Sequence, residues 1–134
     1  MADHDLTKLG PLARLAGVWR GSVGNDLAPA RAGVATHLDR EHLVLTPIRQ
    51  VNNRDQILHG LRYATTAWRA DAIDSFHQEV GYWLYEPSSQ LVMRCFIVPR
   101  GITVLAGGKA APDADSFELS AELGSPTFGI SSNP

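Results

Sequence analysis

His77 and Glu79 stand two residues apart in Phe76-His77-Gln78-Glu79-Val80-Gly81-Tyr82-Trp83. At strand spacing their side chains leave the same face. An imidazole there can ligate a metal or haem iron, or move a proton near neutral pH. A carboxylate two residues on can fix the orientation of the ring. The plainer reading is a hydrogen-bonded histidine beside aromatics, with Glu79 serving as cross-strand partner of an arginine. The residues by themselves leave both open.

Two further segments have types and spacing suited to a binding site. In Gly17-Val18-Trp19-Arg20-Gly21, glycines flank a tryptophan, permitting a sharp entry into a curved strand and leaving room for the indole. Trp19 is then either a plug sealing one end of the core or the floor of a pocket, buried in both cases. In Ile97-Val98-Pro99-Arg100-Gly101-Ile102, Pro-Arg-Gly reads as a tight turn between apolar strands. Arg100 at its tip has the charge to meet a carboxylate of a ligand.

Other chemistries find no support. Cys95 is the only cysteine, which excludes an intrachain disulfide and a paired-cysteine metal or redox site. Its place in the apolar run Leu91–Val98 suggests a buried structural thiol. His4 lies near the terminus, His59 has no acidic neighbour two residues away, and His37 and His42 fall on opposite faces of one strand. No zinc-hydrolase spacing, nucleophile elbow, phosphate loop or dinucleotide fingerprint occurs. No catalytic or metal-ligating residue is assigned. The formal charge of −2 and singly scattered arginines argue against nucleic acid. No secretory leader and no apolar run near the roughly 20 residues of a membrane helix is present, so a cytoplasmic protein without membrane contact is expected.

The elements that must position these residues are mostly strands. The 134 residues, 44% hydrophobic and 19% charged, suit one globular domain over 1–134. Leu6, Leu9, Leu12, Ala13 and Leu15 recur near helical spacing, and Gly10-Pro11 interrupts them. One short helix is expected at about Pro11–Ala16, closed by Gly17. Strand-like segments follow at Gly17–Val23, Val34–Leu45, Gln56–Ala70, Ser75–Tyr85, Gln90–Val98, Ile102–Gly107 and Ser116–Leu123, with another beginning at Thr127–Ile130. Turn-rich pieces such as Gly24-Asn25-Asp26 and Asn52-Asn53 separate them. Phe117, Leu119, Ala121 and Leu123 alternate with polar residues and give the cleanest strand pattern. Phe76–Tyr85 is partly apolar on both faces, suiting an inner face that lines a cavity and an outer face covered by a loop or neighbour. Hairpin-sized connections without helices predict an antiparallel up-and-down β-barrel, with a sandwich as fallback.

Taken in order, three pieces resemble the nitrobindin-like haem-binding β-barrels, distant relatives of the fatty-acid-binding proteins. They are Leu9 to Gly21, Phe76 to Trp83, and Val98-Pro99-Arg100-Gly101 with Leu105-Ala106-Gly107-Gly108. The first two are similar to the family's GxWxGxG opening and HxExG strand; Val23 replaces the third glycine of the opening. The resemblance implies a ten-stranded barrel in which ferric haem supports nitric oxide or peroxynitrite chemistry, with isomerase-like activity if haem is bound. It places His77 on the distal side of the pocket and the iron's own histidine in strands beyond Pro134.

The expected function is therefore binding of a small apolar, lipid-like ligand in a barrel cavity, with His77, Trp19, Glu79 and Arg100 as contacts. A haem barrel of the nitrobindin type and a truncated module without a formed pocket stand as alternatives. An unclosed first strand would leave unpaired backbone groups, so a homodimer through the open edge, or a longer native chain, is expected.

Overall fold

The computed structural model describes residues 6–30, 33–69 and 72–134, with the backbone alone for 22–39. A 3₁₀ helix at Leu6–Leu15 precedes nine strands: β1 (Gly17–Ala30), β2 (Gly33–Pro47), β3 (Val51–Asn53), β4 (Gln56–Arg69), β5 (His77–Glu86), β6 (Leu91–Val98), β7 (Ile102–Lys109), β8 (Glu122–Leu123) and β9 (Gly129–Ser132). One sheet runs β1-β2-β4-β5-β6-β7-β9-β8, with β3 pairing to the end of β4. Every pairing is antiparallel except the short β8–β9 contact. Sequential strands are spatial neighbours, the up-and-down meander that the hairpin-sized connections predict. Among the described residues β1 pairs with neither β8 nor β9, so the barrel sheet remains open along one side.

Register decides which side chains share a face. The row Leu45–Tyr63–Gly81–Phe96–Val104 crosses five strands, and the next row runs Leu43–Thr65–Glu79. Opposed residues of antiparallel neighbours point the same way, so these rows line the concave face. Gly17 pairs with Leu45, Trp19 with Leu43 and Gly21 with Glu41, which puts all three on that face. Val80, Tyr82 and Ile97 leave the convex face instead, each between 41% and 55% exposed. Among the described residues the expected outer covering is thus missing over Val80 and Tyr82, while Leu84 beside the buried Met93 is half-covered.

The helix closes one end of the concave face. Leu9, Leu12, Leu45, Leu61, Tyr63, Tyr85, Val92 and Ala110 form a single buried cluster, against which Leu43, Trp83, Phe96, Phe117 and Leu119 pack. Leu12 is fully buried, a contribution of roughly 1.5–3 kcal/mol for a leucine side chain. The helix starts five residues before the expected Pro11, and Gly10 kinks it at φ 56°, ψ −127°. The Tyr85 hydroxyl donates to Ala110 O at 3.1 Å, tying β5 to the segment after β7.

Three local expectations are corrected. Gly24-Asn25-Asp26 is no turn: β1 continues through it to Ala30, and a register shift between Gly21 and Gly24 absorbs the break as a bulge. The residues that join β1 to β2 lie outside the described ones. Asn52-Asn53 belongs to β3, and the reversal falls on Arg54-Asp55, where Arg54 has φ 57°. Ser116–Leu123 alternates in burial only as far as Ala121, with Leu123 81% exposed, and it pairs only at Ser120, which bridges Gly107, and at β8. Phe117 and Leu119 are drawn onto the core by apolar contact, not by pairing. Alternation reports a dry face; it does not by itself supply a partner edge.

Candidate functional site

Glu79 is the buried polar centre of the concave face. It is 7% exposed, on β5, directly opposite Thr65 of β4. Burying a carboxylate is costly unless it is paired and hydrogen-bonded, and Glu79 is both. Its Oε2 accepts from the Tyr63 hydroxyl at 2.5 Å and from Arg94 Nη2 at 2.5 Å. Oε1 lies 3.3 Å from His77 Nε2. Arg94 Nε donates in turn to the Tyr63 hydroxyl oxygen at 3.2 Å. Thr65 Oγ1 donates to Glu41 Oε1 at 3.1 Å, extending the polar line across β4 to β2. No buried side-chain nitrogen or oxygen among the described residues lacks a partner.

Aromatic rings surround this centre. The Arg94 guanidinium carbon lies 4.7 Å from the Phe96 ring centroid, 5.1 Å from Trp83 and 5.3 Å from Tyr63. Trp83 also meets Phe117 edge to face, with centroids 6.1 Å apart. Stacked cations and aromatics of this kind gain roughly 0.5–2 kcal/mol, more where water is excluded.

The structure brings together some of the residues singled out by sequence. His77 and Glu79 share the concave face and touch, and the imidazole is 28% exposed. Both readings of Glu79, ring orienter and arginine partner, hold at once. Trp19 shares that face through its register, but its expected burial is wrong: it is 49% exposed. Its indole Nε1 donates to Leu15 O at 2.8 Å, anchoring it beside the helix. With β1 on the open side of the sheet, no strand among the described residues stands beyond the indole to cover it. Side chains added at Gly17 or Gly21 would meet nothing within 4 Å, so open space flanks the ring. Arg100 is exposed on the β6–β7 turn, and its carbonyl accepts from Asn133 Nδ2 at 2.5 Å. Its side chain joins none of the concave-face groups.

Tyr63, Thr65, Arg94 and Phe96 were missed. Arg94 carried a signal: it is the one charge in the apolar run Leu91–Val98, and a charge in such a strand needs a buried acid. Tyr63 gave none, because a tyrosine in a strand is ordinary.

Burial is the largest cause raising the Tyr63 phenol above its ordinary value, and the hydrogen bond to Glu79 adds to it; Arg94 opposes both in part. Burial likewise raises Tyr85 and the Cys95 thiol. Cys95 faces the convex side with its Sγ 3.7 Å from Tyr82 O, a poor nucleophile. A phenol whose pKa is higher folded than unfolded keeps its full stabilisation below the unfolded value, near 10. That stabilisation is lost as pH rises beyond it. The expected result is a melting temperature that falls from about pH 10 upward, with a shallower fall in Tyr63→Phe. Parallel slopes in the two proteins would remove Tyr63 as the cause.

Haem iron would need an axial nitrogen, sulfur or phenolate. His77 turns Nε2 onto Glu79, and the Tyr63 hydroxyl is held between Glu79 and Arg94. Met93 and Cys95 are two apart on β6, both on the convex side with Leu84 and Tyr82. His42 pairs with Arg20 on the convex face, and His59 lies opposite Tyr85 at the plugged end. Of the donors on the concave face, His77 is the one whose contact with Glu79 occupies a single ring nitrogen, Nε2. Among those residues no cluster of three or more acidic, histidine or cysteine side chains could hold a metal ion, and no helix is long and apolar enough to cross a membrane.

The family model for the THAP4-like, heme-binding beta-barrel domain matches residues 8–130. Comparisons with curated proteins and with solved structures returned no match.

Proposed function

Because the chain belongs to the THAP4-like haem-binding β-barrel family, we propose that it binds a small, flat, apolar molecule on its concave face without using iron. The observation that carries this is the combination of a partly buried aromatic wall and open space beside Trp19 on the same face. Trp83 and Phe96 pack beside the paired Arg94–Glu79 centre, while Gly17 and Gly21 leave space on either side of Trp19. Apolar surface with a few placed polar groups is the general composition of small-molecule pockets. Ferric haem, favoured by the family, is the second reading: the Glu79 carboxylate holds only Nε2 of His77, and a ring held in that way can ligate through its other nitrogen.

The test pairs two titrations of the purified protein. N-phenyl-1-naphthylamine should bind saturably at one equivalent, and Trp83→Ala should weaken it about tenfold, the loss of an aromatic contact worth roughly 1–2 kcal/mol. Hemin should give no sharp Soret band at one equivalent. A sharp one-equivalent band would establish the haem reading in place of this one. If haem does bind, His77→Ala should leave the strong axial bond intact, as expected for a distal group.

A further inference from the structure

Arg94 has more donors than the fold consumes. A guanidinium carries five N–H groups in a rigid fork, and the described contacts use Nε, on Tyr63, and Nη2, on Glu79. Nη1 has no acceptor among the described residues, yet no buried side-chain nitrogen there is without a partner. Nη1 is therefore reached by solvent. Arg94 lies opposite Trp83 on the concave face, with its side chain 34% exposed beside an 8% exposed Glu79. The fork is thus held by Glu79 and Tyr63 through Nη2 and Nε, with the rings of Trp83 and Phe96 beside it and Nη1 left without a protein acceptor among the described residues.

The charge arrangement selects the acceptor. Glu79 at 2.5 Å already matches the arginine's charge. A ligand carboxylate on Nη1 would set two anions against one cation, which is unfavourable. A neutral carbonyl oxygen accepts the same N–H pair and adds no charge. A ligand without any acceptor would cover Nη1 and leave its donors unpaired, at a cost. We infer that Arg94 is the recognising group of the concave pocket and that its ligand is a flat apolar molecule bearing a neutral carbonyl oxygen, such as an aryl ketone or quinone. The inference rests on the proposed apolar-ligand reading and names its ligand class.

Three probes of one shape test it by calorimetry and tryptophan quenching: 2-acetonaphthone, 2-naphthoate and 2-ethylnaphthalene. The ketone is expected to bind at least tenfold more tightly than either of the others. Arg94→Lys keeps a cation against Glu79 but loses the planar fork, and should reduce the ketone's advantage over the hydrocarbon to less than threefold. Tightest binding of 2-naphthoate would overturn the neutral-carbonyl class. Equal binding of ketone and hydrocarbon, or a ketone preference that survives Arg94→Lys, would overturn Arg94 as the recognising group and leave the pocket standing. Failure of all three probes to bind would remove the pocket reading and this inference with it.

Discussion

Arg94→Met is expected to destabilise the protein by about 2–3 kcal/mol, and Glu79→Gln in the same chain should restore part of that loss. Removing one member of a buried ion pair typically costs about 3–5 kcal/mol, because the other charge is left without compensation. Arg94 is a third exposed, so water can take over some of its role, which lowers the figure. Methionine removes the guanidinium together with its stacking on Trp83 and Phe96, so the single variant loses both and the coupling with Glu79 is read from the cycle alone. Glutamine at 79 can still accept from the Tyr63 hydroxyl, so the double variant loses no buried acceptor. The measurement is a double-mutant cycle in urea at neutral pH, read as a coupling free energy. Additive single-variant effects would mean that the 2.5 Å contact contributes nothing to the fold.

How far this site was legible follows from what each residue had to satisfy. His77 and Glu79 could be placed on one face because strand alternation is local and strict, and β5 does begin at His77. The helix, the meander and most strand positions were legible for the same reason. The site's other half depends on register between strands, which no local pattern contains. Nothing near Tyr63 in the sequence says that it lies opposite Gly81 and beside Glu79. Arg94 was visible as an anomaly, but its partner was not. Trp19 failed differently: the flanking glycines were read as room for a buried indole, whereas that room is open space along an unclosed edge. A sequence motif can specify that a cavity exists without specifying what fills it. Ser116–Leu123 shows the converse: Phe117, Leu119 and Ala121 take the expected face, yet pairing is confined to Ser120 and the short β8.

Gly10→Ala should cost about 3–5 kcal/mol, and Gly124→Ala far less, although both glycines have positive φ. Gly10 sits at φ 56°, ψ −127° inside the helix that plugs the concave face. An L residue held in so sparsely populated a region carries roughly 1–3 kcal/mol of strain. A Cβ there would also lie 2.5 Å from Cε2 and 2.9 Å from Cδ2 of Tyr85. The ring has little freedom to retreat: Tyr85 is 1% exposed and its hydroxyl is bonded to Ala110 O. Ala110 is itself fixed by its N–H donating to Gln90 O at 2.9 Å. Overpacking against such a neighbour typically adds about 1–3 kcal/mol. Gly124, at φ 84°, has nothing within 4 Å of an added Cβ, so only the backbone contribution applies, on the order of 1 kcal/mol. The expected fall in melting temperature for Gly10→Ala is roughly 10–20 °C in a domain of this size. Since the helix closes the apolar end, Gly10→Ala should also weaken N-phenyl-1-naphthylamine binding, which Gly124→Ala should leave unchanged. Equal melting shifts for the two variants would show that Tyr85 does not hold the helix in place, and that the closed end of the pocket is built some other way.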